Sequence, residues 1–259
     1  MKQHSKQPGI GVDGCKAGWL RVVFDGQTAA MTLCQKLEEV ASQTAEAAIF
    51  IDMPIGFVKA GAAGRACDQA ARRYLSPLRH SSVFTPPCRA AVYAEKETAS
   101  ELNFRHTGKK LSQQSLNIIP KMRALDDFLQ TQNPKEQGRW YEAHPEIIFA
   151  TFNEEQPLIH KKKTRDGEAQ RLALLQPYFP SLMDWYATAR NRYLRKEVLP
   201  DDIIDALGLA VAAFLANQQQ AEMIFFPAEA EYDETGLRMQ MVGVRVEGCK
   251  SVRVGYNLA

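Results

Sequence analysis

Asp13 closes the run Gly9-Ile10-Gly11-Val12-Asp13, and Asp52 closes Ala47-Ala48-Ile49-Phe50-Ile51-Asp52. A third acidic group, Asp201, Asp202 and Asp205, opens a segment that carries no polar side chain from Ala206 to Ala216. Carboxylates brought together in a partly dry site repel one another, and their pKa values rise unless a cation neutralises them. Hard divalent cations meet that need, which points to Mg²⁺ or Mn²⁺ held by Asp13, Asp52, Asp202 and Asp205. Two such ions about 3.5–4 Å apart activate a water and stabilise the leaving oxygen of a phosphodiester, which is nuclease or phosphodiesterase chemistry. Asp201 suits a helix cap better than a ligand. Glu142 is a further candidate catalytic carboxylate; it and His144 read equally well as a buried strand-end acid and a satisfied histidine. Lys16, Lys121 and Lys161 are the candidate substrate contacts. The run His160-Lys161-Lys162-Lys163-Thr164-Arg165 otherwise reads as solvated loop. Cys15 has no nearby histidine in sequence and reads as a small buried thiol rather than a nucleophile.

The elements that must position these groups have local signals. Gly9 to Trp19 reads as a strand, a tight glycine turn and the start of a second strand that continues through Leu20 to Phe24. Ala29 to Cys34 is a third strand, Gln35 to Ala45 a helix, and Ala47 to Ile51 a fourth strand. A fourth strand parallel to the first brings Asp13 and Asp52 to one sheet edge. Gly64 to Leu75 predicts a helix and Ser81 to Arg89 a loop, both in an insertion at about residues 60–110. Ser112 to Gln130 has Leu116, Ile119, Met122, Leu125 and Leu129 on one helical face, with a break expected at Pro120. Arg139 to Ala143 suits a short strand, and Pro145 a first helical turn. Gly167 to Gln176 and Pro180 to Arg195 are helical patterns in a second insertion, at about 155–198. The helix that begins at Pro200 should be buried nearly all round, with Gly208 and the alanines allowing close approach to the sheet. Met223 to Ala230 and Gly236 to Val246 form a C-terminal β extension with a turn at Glu234-Thr235-Gly236, and Lys250 to Ala259 is either an edge strand or loose.

Composition limits the classes. With 259 residues, 45% hydrophobic and 24% charged, the chain reads as one soluble α/β domain spanning residues 1–259. A net charge of +2 provides no global field, so a nucleic-acid surface would have to be a local patch, and there is room for a small phosphorylated substrate. Five cysteines, an odd number without a CxxC pair, indicate reduced thiols. The first residues lack the apolar core of a signal peptide and no apolar run approaches spanning length, so the expectation is a cytoplasmic protein without membrane contact. A homodimer is compatible with these features.

GVDGCKAGW, IDMPIG, the R-x-x-D of Arg65 to Asp68 with SVFTPP beyond it, IIPKM, EAHPE, the lysines before GEAQRLALL, and DDIIDALGLA occur in an order that resembles one family. It is a domain-of-unknown-function family of predicted RNase H-like nucleases, related in outline to the RuvC resolvases, and the resemblance runs from about Ile10 to about Phe214. It implies an RNase H-like, mixed five-stranded sheet flanked by helices and a metal-dependent phosphodiesterase site, with nucleic acid or a phosphorylated small molecule as substrate. By position, Asp13 matches the family's first-strand aspartate, Asp52 its fourth-strand acid, and Asp202 with Asp205 the pair on its final helix. The RuvC resolvases usually carry glutamate where this chain has Asp52, so the reach is shorter by one methylene. Two other classes share this sheet: an ATP-binding phosphotransferase of the actin and sugar-kinase superfamily, and a non-catalytic binding protein.

Overall fold

The first strand sorts its side chains by strict alternation, and that sorting sets the architecture. Ile10 and Val12 are buried toward one face, while Gly9, Gly11 and Asp13 point to the other. The computed structural model describes residues 7–42 and 46–246. Among them, β1 (Gly9–Cys15), β2 (Gly18–Phe24), β3 (Ala29–Cys34), β4 (Ile49–Asp52), β5 (Trp140–Glu142), β6 (Ala221–Tyr232) and β7 (Arg238–Val246) form one seven-stranded mixed sheet, ordered β3-β2-β1-β4-β5-β7-β6. Strands β1 to β3 are an antiparallel meander, β4 runs parallel to β1, and β5 runs parallel to β4. The register pairs Asp13 with Asp52 directly, as the expectation of a shared edge requires.

The helices are α1 (Leu37–Ala41), α2 (Ala66–Tyr74), α3 (Arg89–Val92), α4 (Lys96–Thr107), α5 (Gln113–Thr131), α6 (Pro134–Gln137), α7 (Pro145–Phe152), α8 (Arg165–Leu175), α9 (Leu182–Ala189) and α10 (Pro200–Asn217). Helices α7 to α10 cover the face bearing Leu20, Val22, Phe24 and Phe50. Helices α1 and α5 cover the opposite face, on Ile10, Val12, Ile49 and Ile51. Within the first insertion, α2 lies against β6 and β7, and α3 and α4 pack on each other and on α5.

Helix α10 is the central packing element, buried from Ile203 to Leu215. It sits directly on the glycines of β1. A Cβ at Gly9 would fall 2.1 Å from the Ala210 carbonyl oxygen, and one at Gly11 2.0 Å from that of Ala206. The close approach is therefore made by the strand's glycines. Gly208, expected to serve the sheet, faces α7 instead: a Cβ there would meet Phe149 Cζ at 2.8 Å.

Other expectations are revised. The C-terminal strands do not stand apart as an extension. Strand β7 inserts beside β5 in parallel through the single pair Glu142–Met241, and β6 takes the edge, so the sheet has seven strands rather than five. Helix α5 continues through Pro120; burying Met122, Leu125, Phe128 and Leu129 in the core under the sheet outweighs a proline cost of about 3 kcal/mol. Helices α1 and α9 are shorter than their sequence patterns. The tail Lys250 to Ala259 lies outside the described residues. No described helix is long and apolar enough to cross a membrane.

Candidate active site

On the glycine face of β1, the position after Gly9 and Gly11 is Asp13, where α10 begins. Because Ala206 and Leu209 rest on Gly11, Asp205, one turn before Leu209, comes over the strand ends. Asp13 is buried and Asp205 is wholly inaccessible, while Asp52 lies beside Asp13 on β4. Into this group comes a cation from the chain itself. Lys162, in the loop between α7 and α8, places its Nζ 2.5 Å from Asp205 Oδ2 and 3.8 Å from Asp201. Asp205 Oδ1 has no hydrogen-bond partner although it is buried.

The electrostatics record an excess of acid. Burial, reinforced by repulsion from Asp52, holds the Asp13 carboxyl well above the ordinary aspartate range. Burial likewise pushes Asp52 to about 7, with Lys162 opposing the rise and Asp205 adding to it. Asp202 rises to about 6, again through burial. For Lys162, burial works against the charge, yet Asp205, Asp13 and Asp52 together raise it well above the lysine range, so it stays an ammonium.

Asp13, Asp52 and Lys162 border a cleft of about 540 Å³, whose lining includes neither Asp202 nor Asp205. Asp13, Asp52, Lys16, Lys121, Lys162, Lys163, His144 and Glu146 reach its wall, with Phe84, Gln114 and Asn117 farther along. Asp205 lies behind Lys162. The turn between β1 and β2 is tied to the segment before α10 by the Ala17 N–H, which donates to the Glu197 carbonyl.

Several sequence-derived assignments change. Asp202, not Asp201, caps α10. It occupies the third helical position, and its Oδ2 accepts from the Leu199 N–H at 2.8 Å, one half of a capping box. Glu142 does not face the cleft. Arg65 donates to both of its oxygens at 2.7 Å, the Ile55 N–H donates to Oε2 at 2.8 Å, and the same guanidinium also binds Asp68. Lys161 points to solvent, and its neighbour Lys162 supplies the inward ammonium. Lys121 lines the cleft but spends a donor on the Gly18 carbonyl at 2.6 Å and lies 4.7 Å from the centre of the Trp19 ring, bracing the β1–β2 turn. Lys16 is exposed at the rim. His144 is structural: its Nδ1 accepts from the Glu146 N–H, which leaves Nε2 to donate to the Ser82 carbonyl, and burial lowers its pKa. Burial raises the Cys15 thiol, which fits the inert reading.

Two neighbours were not singled out from sequence. Glu146 accepts from Arg171 at 2.5 Å, and Arg171 also donates to the His160 carbonyl at the start of the Lys162 loop. The spacing of Gly167 and Arg171, one helical turn apart on a buried face, is the signal that would have found Arg171, and Glu146 stands in the acidic first turn of α7. The turn after β4 is tied twice, by Glu142 at the Ile55 N–H and by Asp233 at the Phe57 N–H, with Arg89 bridging Asp233 and Asp126.

Residues 11–231 match a family described as "Protein of unknown function (DUF429)". The chain belongs to that family. The matched span holds Asp13, Asp52, Lys162, Asp202 and Asp205 together with α10, and stops short of β7. No curated protein and no solved structure matches the chain.

The cleft's fitness for a divalent cation can be tested on its donors. Among the described residues, the group whose potential ligand atoms all lie within 4.8 Å of one another is Cys67, Asp68 and Glu142, but Arg65 already neutralises those acids. In the cleft, Asp13, Asp52 and Asp205 offer hard oxygens, one of them buried without a partner, around one ammonium. That donor set suits Mg²⁺ or Mn²⁺ once the carboxylates draw together.

Proposed function

We propose that this protein is a metal-dependent phosphodiester hydrolase, a nuclease or phosphodiesterase of RNase H-like type. The observation that carries the reading is the pairing of Asp13 with Asp52 on adjacent parallel strand ends, under a buried helix that delivers Asp205. The order β3-β2-β1-β4-β5, antiparallel then parallel, supports the RNase H-like assignment, with β7 and β6 added at one edge. Asp13, Asp52 and Asp205 would hold Mg²⁺ or Mn²⁺, and Asp202 would have to give up its cap on the Leu199 N–H to join them. When bound, such ions activate water and stabilise the charge on the leaving oxygen. The chain's own part is to set the backbone positions from which the carboxylates close on the metal, and to offer Lys16 and Lys163 at the rim to phosphate oxygens. Phe84, Gln114 and Asn117 supply a stacking surface and amide groups for a nucleobase or sugar.

The test is metal-dependent thermal stabilisation together with hydrolysis of DNA, RNA and small phosphodiesters. Mn²⁺ should raise the melting temperature of the wild-type protein and support hydrolysis, and Asp13→Asn or Asp205→Asn should abolish both. A wild-type protein that neither responds to Mn²⁺ nor cleaves any phosphodiester refutes the proposal.

A further inference from the structure

We infer that Lys162 is a built-in counter-ion of the acid cluster, which a divalent cation must displace, and that the displaced ammonium turns into the cleft toward the substrate phosphate. The inference rests on the metal-dependent reading above and adds to it a competitor supplied by the chain. An ammonium is an incomplete partner for this site. It pairs closely with Asp205 Oδ2 and leaves the buried Oδ1 unsatisfied, while Asp13 and Asp52 still repel each other. A divalent ion carries twice the charge and is shared among several carboxylate oxygens, so it satisfies what the lysine cannot.

Departure of the ammonium needs no rearrangement of the core. The Lys162 side chain is 35% exposed and already borders the open cleft. Its backbone is clamped: the Lys161 carbonyl accepts from both the N–H and the hydroxyl of Thr164, and a Cβ on Gly167 would strike that same carbonyl at 2.0 Å. Arg171 fixes the neighbouring His160 carbonyl from below. Only the four-carbon stem is free to swing, and its arc stays beside the metal position. The resting protein thus keeps its acids partly neutralised, and loading the metal releases a cation next to the reacting phosphate.

Two measurements decide this. Calorimetric titration with Mn²⁺ at mildly alkaline pH, where protons compete least for the acids, should show affinity about tenfold tighter in Lys162→Met than in the wild type, since one competing charge is gone. The same variant should hydrolyse substrate more slowly despite binding metal better. In the wild-type protein, amine-selective acylation read by mass spectrometry should label Lys162 several-fold faster with saturating Mn²⁺ than without it, which keeps the question open to test if the variant fails to fold. Equal or weaker metal affinity in a folded Lys162→Met protein overturns the inference. So does Lys162 labelling that ignores Mn²⁺ while calorimetry registers binding. If the wild-type protein binds no Mn²⁺ at all, the metal-dependent reading itself falls, and this inference with it.

Discussion

Gly11→Ala is the sharpest probe of how the fold makes the site. The added Cβ would lie 2.0 Å from the Ala206 carbonyl oxygen, 2.4 Å from the Ala210 nitrogen and 2.9 Å from Leu209 Cβ. Real Cβ contacts do not fall below 3.0 Å, so α10 must retreat by at least about 1 Å. The two nearest obstacles are helix backbone, which has no rotamer to escape into, so the cost belongs at the upper end of overpacking effects, about 3 kcal/mol. Asp205 moves with the helix while Asp13 stays with the strand. A misplacement of about 1 Å between reacting groups costs on the order of 100-fold in rate. Urea denaturation should show a lower midpoint with an unchanged slope, and the stabilisation by Mn²⁺ should shrink or vanish. Gly243→Ala is the control. Its Cβ would meet side-chain atoms of Ile147, Ile224 and Phe226 at 3.2–3.3 Å and no backbone, so shifts of a few tenths of an ångström relieve it and the cost should be about 1 kcal/mol, well below that of Gly11→Ala. Wild-type stability and an intact Mn²⁺ response in Gly11→Ala would mean that the backbone contact between β1 and α10 does not exist, and the positioning argument would fail with it.

Other outcomes can be checked alongside. Asp52 and Asp202 hold protons in the folded protein up to about 7 and about 6, whereas an unfolded aspartate releases its proton near 3.9. Above pH 4 the folded state therefore binds more protons than the unfolded chain, so the metal-free melting temperature should fall as pH rises from about 5 to about 7, and Mg²⁺ should flatten that decline; a melting temperature that climbs over this interval would contradict the acid cluster. Arg65→Met leaves Glu142 and Asp68 buried without their partner and should cost about 3–5 kcal/mol by denaturation. Adding Glu142→Gln and Asp68→Asn should recover part of that loss if the three side chains act as one network.

The parts of the site that are legible in sequence are those whose cause is local. An apolar run ending in aspartate locates Asp13 and Asp52, and a helix without polar side chains beyond its first turn locates Asp205. Partnerships across the chain carry no such signal. Glu142 looks catalytic until Arg65, 77 positions away, is seen to hold both its oxygens. Lys161 and Lys162 are indistinguishable in a loop without periodicity; the choice between them is made by the clamp of Thr164 and Gly167 on the Lys161 carbonyl. Asp202 takes the cap because α10 starts at Pro200, which puts Asp202 rather than Asp201 three residues from the free Leu199 N–H. The fold follows the same division. The meander and β4 follow from strand patterns and a crossover rule, but the entry of β7 beside β5 rests on one ladder pair between segments about a hundred residues apart, and Pro120 is absorbed because tertiary burial overrides its local preference.

The double tether after β4 also governs how the cleft can breathe. With the N–H groups of Ile55 and Phe57 held by Glu142 on the neighbouring β5 and by Asp233 in the β6–β7 turn, the wall that carries Asp52 has little freedom to fluctuate. The cleft is also lined by the exposed Ser81 and Ser82 and the long stems of Lys162 and Lys163. Entry and exit of a bulky molecule are therefore one-sided: the backbone that carries Asp52 stays still, and the amplitude of opening belongs to the side chains of Lys162 and Lys163 and to the serine turn.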